Sequence, residues 1–142
     1  MQLNITLPVL NEERQLPRAV AELTAFLRAN IDGSFEVVIV DNGSTDGTWA
    51  EAERLAARHP EVRAMRLAKR GRGRALREAW QSSQADVLSY MDVDLSTGLE
   101  AFPALVAAVA EGQASVAVGS RLMPGSRVER CLKREVISRC YN

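Results

Sequence analysis

The stretch "YMDVDLST", residues 90–97, sets Asp92 and Asp94 two positions apart at the end of an apolar run. On an extended chain, residues i and i+2 share a face, so both carboxylates can lean toward one point. Like charges so placed repel unless something positive lies between them. Mg²⁺ or Mn²⁺ suits that role, because these hard cations take carboxylate oxygens and fill their shell with substrate phosphates. The plainer alternative is a solvated strand end beside a helix cap. The position between "LSYM" and a capped helix favours the cation.

Other polar clusters carry compatible chemistry. In "VVIVDNGSTDGT", Asp41 and Asn42 leave a buried strand at a sharp turn where Gly43 permits unusual backbone angles. An acid there can accept hydrogen bonds from a nucleobase imide or a ribose hydroxyl; ordinary turn chemistry is the alternative. Asp46 and Thr48 are assigned to the helix start. From Arg63 to Arg77 the chain carries seven cations and no acid. Arg63, Arg66 and Arg77 read as a solvated face, whereas Gly71 and Gly73 let the chain pass close to a ligand and bring Arg72 toward a diphosphate. Arg121 follows the apolar "VAVGS", and a guanidinium suits bidentate contact with phosphate. His59 is the only histidine, so no Ser/His/Asp nucleophile can be assembled. The "GRG" opens no dinucleotide fingerprint.

Strand-length apolar runs alternate with helix-period stretches and must position these clusters. "LNITLPV", "FEVVIVD", "VRAMRL", "DVLSYMD" and "SVAVGS" read as strands, several apolar on both faces as in a covered parallel sheet. Four helices lie between or after them. The first starts at Pro17 and carries Val20, Leu23 and Leu27. The second is capped by Thr48 with Glu51 reaching back and runs to about His59. The third carries Ala75, Leu76, Ala79 and Trp80 on one face. The fourth opens with the capping box "TGLE" and continues through Phe102, Leu105, Val106 and Val109. This order predicts an α/β fold: an open, mostly parallel, Rossmann-like sheet with helices on both faces and right-handed crossovers. Ligands bind beyond the carboxyl ends of such strands, where five polar loops fall, "PVLNEERQ" after the first strand among them.

The 142 residues suffice for one domain, 1–142, with a real core; 46% are hydrophobic, 25% are charged and the formal net charge is zero. Bulk charge therefore recruits no nucleic acid. Cys131 and Cys140 have no metal-type spacing and read as free thiols of a reducing compartment. No signal peptide precedes "LNITLPVL", and "ALVAAVA" falls far short of the ~20 residues that span a bilayer. Ending partway through an amphipathic element at "VISRCYN", the sequence reads as the N-terminal part of a longer chain.

Together these pieces resemble the family 2 glycosyltransferases, inverting enzymes with the GT-A nucleotide-diphospho-sugar fold. "LPVLNEE" is similar to that family's P-x-x-N-E loop, "VDNGSTDGT" to its D-D/N-G-S-x-D-x-T turn and "MDVDLST" to its D-x-D. "RGRGRALREAW" and "GSRL…KREVISRCYN" resemble the polyprenyl-phosphate sugar synthases, such as dolichyl-phosphate glucosyl- and mannosyltransferases. The resemblance spans essentially the whole chain. It implies a UDP- or GDP-hexose donor cradled by Pro8, Leu10, Glu12, Val40, Asp41 and Asn42. It also implies metal and diphosphate contacts from Asp92, Asp94 and Ser96, with Arg121 and Arg134 or Arg139 at the diphosphate; Val93, between the two acids, is counted with Arg72 among the donor-binding residues. Leu10 stands where many members have Tyr, Asn42 where a second Asp is common, and Gly98 where an acid is frequent. The implied acceptor is a dolichyl or undecaprenyl phosphate, met at the cytoplasmic face of a membrane through a following portion of the chain. The oligomeric state is not legible.

The implied reaction displaces a nucleoside diphosphate from the anomeric carbon by an acceptor phosphate oxygen. That oxygen is already anionic and needs little help from a general base. Charge develops on the leaving diphosphate, which the divalent ion and Arg121 would stabilise. Two other readings use the same residues. An aspartate-nucleophile phosphohydrolase would place Asp92 on phosphorus with Asp94 as acid/base, yet no Asp follows Asp94 to help hold its metal. A nucleotide-binding module without catalysis would fit a chain that lacks the acceptor portion, and the 142 residues alone are expected to transfer feebly or not at all.

Overall fold

The structure is a computed structural model that describes residues 1–96 and 98–119. Arg121, Arg134, Arg139 and both cysteines lie outside the described residues, as does Thr97 of the expected fourth cap. The elements follow the alternation of the sequence: β1 (Gln2–Val9), α1 (Leu16–Asn30), β2 (Ser34–Asp41), α2 (Thr48–Arg58), β3 (Val62–Arg66), α3 (Arg72–Gln81), β4 (Val87–Tyr90), a 3₁₀ turn (Leu99–Ala101) and α4 (Phe102–Ala110).

All pairings are parallel and the sheet order is β3-β2-β1-β4. One face buries Leu3, Ile5, Leu7 and Val9 of β1 with Val37 and Ile39 of β2 against α1, α2 and α4. The other face buries Val38 and Val40 with Leu67 against Ala75 and Ala79 of α3. Two steps from β1 to β3 run one way and the step from β3 to β4 runs back, so right-handed crossovers put α3 on the opposite face. The order reverses between β1 and β4, and that is where doubly wound sheets take ligands.

Pro8 opens that crevice. The Gln2 and Thr6 carbonyls accept the Asp86 and Met91 amides, so even positions of β1 turn their backbone polar groups toward β4. Pro8 is next in the series and has no N–H to offer. Pairing with β4 accordingly ends at Thr6↔Tyr90, while pairing with β2 continues to Val9↔Asp41. The two strands part just where the loops bearing Asp92 and Arg72 approach.

The fifth expected strand is absent over its described part. Residues 115–119 form no ladder, and Val116 and Val118 are 76% exposed. An apolar alternating pattern makes a strand only where a neighbour supplies backbone partners. The second helix also starts differently. Gly47 is its cap, Thr48 is its first residue, and Glu51 turns forward to Arg54 instead of back. Asp46 supplies the missing acceptor by taking the Thr48 N–H at 3.0 Å.

Candidate functional site

Segments at the ends of all four strands build the crevice. Pro8, Leu10, Glu12, Asn42, Arg72 and Asp92 line a cleft of about 190 Å³, joined by Val9. Six residues singled out in the sequence are thus brought together. Asp94 and Ser96 lie in the adjoining turn, where Asp94 Oδ1 accepts the Ser96 N–H at 3.0 Å. Two other side chains of the expected set turn into the cores instead of lining this cleft. Val40 is fully buried against α3, and Val93 is buried in the main core.

The turn that presents the acids is tight. The Asp92 carbonyl accepts the Leu95 N–H at 3.0 Å, and Leu95 adopts φ +50°. A left-handed leucine costs about 1–2 kcal/mol, so the surrounding packing imposes this shape. Buried Val93 anchors it while Asp92 and Asp94 on either side stay exposed. This donor set fits a hard divalent ion, with two carboxylates aimed outward beside a cleft. Among the described residues no third His, Cys, Asp or Glu joins them, so the rest of a shell must come from ligand oxygens and water. Arg72 Nη2 donates to Asp92 Oδ1, and its guanidinium lies 5.8 Å from the centroid of the Tyr90 ring.

Asp41 is completely buried. It pairs in register with Val9 on one side and Arg66 on the other, so it is still inside the ladder. Its Oδ1 accepts the Ser44 N–H at 3.0 Å. Oδ2 stands 3.2 Å from Arg66 Nε, close enough for an ion pair but misaligned for a hydrogen bond. Oδ2 therefore keeps an unmet acceptor site. Asn42 is spoken for differently, since its Oδ1 accepts the Gly71 N–H at 2.7 Å.

Sequence reasoning missed what binds the first two loops together. The Asn11 N–H donates to Ser44 Oγ at 2.9 Å and Asn11 Oδ1 accepts the Thr45 N–H at 2.9 Å. The Glu12 N–H donates to Thr48 Oγ1 at 2.8 Å, and Glu13 Oε2 accepts the Gly47 N–H at 2.6 Å. Asn11 holds φ +56°, a conformation that Asn tolerates better than most residues. The signal was present in "NEE" and "GSTDGT", whose polar side chains bond across to the other loop. A second, larger hollow of about 380 Å³ is framed by this stitching at Asn11–Gln15 and Asp46, away from Asp92.

The Thr48 hydroxyl donates to Asp46 at 2.5 Å and is the main cause holding that carboxyl below its ordinary value of 3.8, against some desolvation and with help from N–H donors. A carboxyl depressed on folding stabilises the fold fully above its unfolded value, and that stability is lost as pH falls through the folded value. Asp46→Asn should therefore lower the melting temperature at neutral pH, with the gap narrowing once pH falls below 3.8. Melting curves of both proteins down to about pH 3 check this; a gap that stays constant would show that the charge is not what matters.

Comparison with known proteins fits this geometry. Residues 5–141 match the family described as Glycosyl transferase family 2. The chain is 37% identical to glycosyltransferase AglD of Haloferax volcanii, covering 100% of this chain and 23% of that protein. It is 30% identical to a dolichol-phosphate mannosyltransferase of Pyrococcus furiosus, covering 91% of this chain and 36% of that protein. Among solved structures, the mannosyltransferase PcManGT of Pyrobaculum calidifontis, in complex with GDP-Man and Mn²⁺, superposes with a TM-score of 0.56 at 25% identity, over 65% of this chain and 27% of that one. The chain thus spans well under half the length of these proteins.

Proposed function

Because the chain belongs to glycosyl transferase family 2, we propose that it is the donor-binding part of an inverting hexosyltransferase. The donor is a UDP- or GDP-hexose and the acceptor a polyprenyl phosphate at the cytoplasmic face of a membrane, with Mg²⁺ or Mn²⁺ held by Asp92 and Asp94. The observation that carries the reading is the meeting of Asp92 and Arg72 in the crevice that Pro8 opens at the point where strand order reverses. The names of the two relatives and the GDP-Man and Mn²⁺ bound by the solved neighbour support it. Among the described residues no helix is long and apolar enough to cross a membrane.

In this reading the chain's groups divide the work. Asp41 Oδ2, a buried acceptor without a donor, takes an N–H or hydroxyl of the nucleoside once the half-exposed Arg66 beside it turns aside. Glu12, half-buried in the cleft, borders the same ligand. The bound divalent ion supplies positive charge to the diphosphate. Arg72, together with Arg121 and Arg134 beyond the described residues, adds guanidinium donors as charge grows on the leaving group. The acceptor phosphate brings its own nucleophilic oxygen, so the site needs no side-chain nucleophile.

Thermal melts with UDP, GDP and their hexose derivatives, with and without Mn²⁺, test the assignment. A rise is expected for one nucleotide and only with metal present. At a hundredfold excess over the dissociation constant such binding stabilises by about 2.7 kcal/mol. No rise with any of them would remove the proposal.

A further inference from the structure

Arg72 is tethered at its base and loose at its tip. It is the first residue of α3, and the Gly71 N–H before it is held by Asn42 Oδ1 at 2.7 Å. Arg70 Nη2 donates to the Gly43 carbonyl at 2.8 Å, fixing the same loop to the end of β2. Gly43 has φ +83°, a left-handed backbone that favours glycine at this turn. The loop's position is therefore set by β2. The guanidinium reaches across the crevice to Asp92 on the other side, resting over Tyr90, whose ring in turn leans on Trp80 at 6.4 Å.

The Arg72–Asp92 pair is exposed at both ends, 58% and 56%. Such a pair holds a side chain in place yet breaks easily. Its acceptor atom belongs to the carboxylate that a divalent ion would need, and two cations cannot share one oxygen without repulsion. We propose that Arg72 is a resident counter-ion of the Asp92 corner, which an arriving divalent cation displaces and which then turns, still anchored at Gly71, onto the donor diphosphate. This deepens the reading of Asp92 and Asp94 as a cation corner and rests on it. One side chain then opposes the cation alone and favours the cation together with a diphosphate. Cation and nucleotide accordingly assist each other's binding by the same factor.

The two effects have opposite signs, which a merely structural arginine would not produce. Free Mn²⁺ measured by electron paramagnetic resonance, in titrations of the chain without nucleotide and then with GDP or UDP, reads both. For Arg72→Gln, Mn²⁺ alone should bind up to about fivefold tighter, the equivalent of the ~1 kcal/mol an exposed ion pair is worth at most. With nucleotide, Mn²⁺ should bind roughly tenfold more weakly, because a charge-assisted contact to phosphate is gone. Arg72→Lys should keep part of the nucleotide effect, since it retains the charge and loses the fork. Unchanged or weaker binding of Mn²⁺ alone in Arg72→Gln would overturn the exchange. If Asp94→Ala still binds Mn²⁺ and nucleotide like the parent chain, the cation corner itself is wrong and the exchange falls with it. If Asp94→Ala loses both while Arg72→Gln changes neither, only the exchange is wrong.

Discussion

Asp94→Ala is expected to remove the metal-dependent part of donor binding, lowering Mn²⁺-supported nucleotide affinity by at least ~100-fold. Substitutions of residues that merely support metal ligands already cost about 10–100-fold in metal affinity, and a lost ligand costs more. Among the described residues no group of three or more His, Cys, Asp or Glu forms, so neither acid has a substitute. The same substitution should leave the fold intact. Asp94 is exposed, and it accepts the Ser96 N–H, which water can satisfy. Calorimetric titration of nucleotide with and without Mn²⁺, alongside far-ultraviolet circular dichroism, separates these effects. A variant that still responds to Mn²⁺ as the parent does would move the cation site elsewhere.

The second large effect belongs to Asp41, and there stability and binding should fall together. Replacing it with Ala strips the Ser44 N–H of its acceptor in a fully buried place. An unsatisfied buried donor costs about 1–3 kcal/mol, a large part of the ~5–15 kcal/mol that holds a domain together. Arg66 also loses its partner, but it is half exposed and can turn to water or keep its place over Trp49 at 5.6 Å. Asp41→Asn keeps an oxygen for Ser44 and should recover most of the stability. It should not recover nucleotide binding if the unmet Oδ2 is the atom that takes a nucleoside donor. Denaturant melts paired with nucleotide titration test the split. Full binding by Asp41→Asn would return Asp41 to a purely structural role.

Asp41 also shows where reading from sequence reaches its limit. The apolar run "FEVVIVD" ending in an acid suggested a carboxylate emerging at a strand tip. Register decides otherwise, because β1 and β3 both extend alongside it and close it in. Strand register is a non-local property, and a single run of residues does not carry it. By contrast, the β-α alternation, the α1 stripe of Val20, Leu23 and Leu27, and the Ala75–Ala79 face of α3 depend on local periodicity and were legible. "SVAVGS" has the right periodicity and forms no strand over 115–119, since pattern alone supplies no neighbour. The cleft was legible in kind, because polar loops must fall at strand ends. Its occupants were sorted only by side-chain direction, which sends Val40 and Val93 into the two cores and leaves Arg72 and Asp92 in the open.

The stitching between the first two loops makes them one part rather than two. Backbone donors of 11 and 12 find side-chain acceptors on Ser44 and Thr48, while those of Thr45 and Gly47 find theirs on Asn11 and Glu13. Each loop is thus written in a code that only the other completes. Transplanting either into a different scaffold would break all four of these bonds, whereas moving both would carry the rim across whole. Variation at one of these tips can persist only when it is answered at the other.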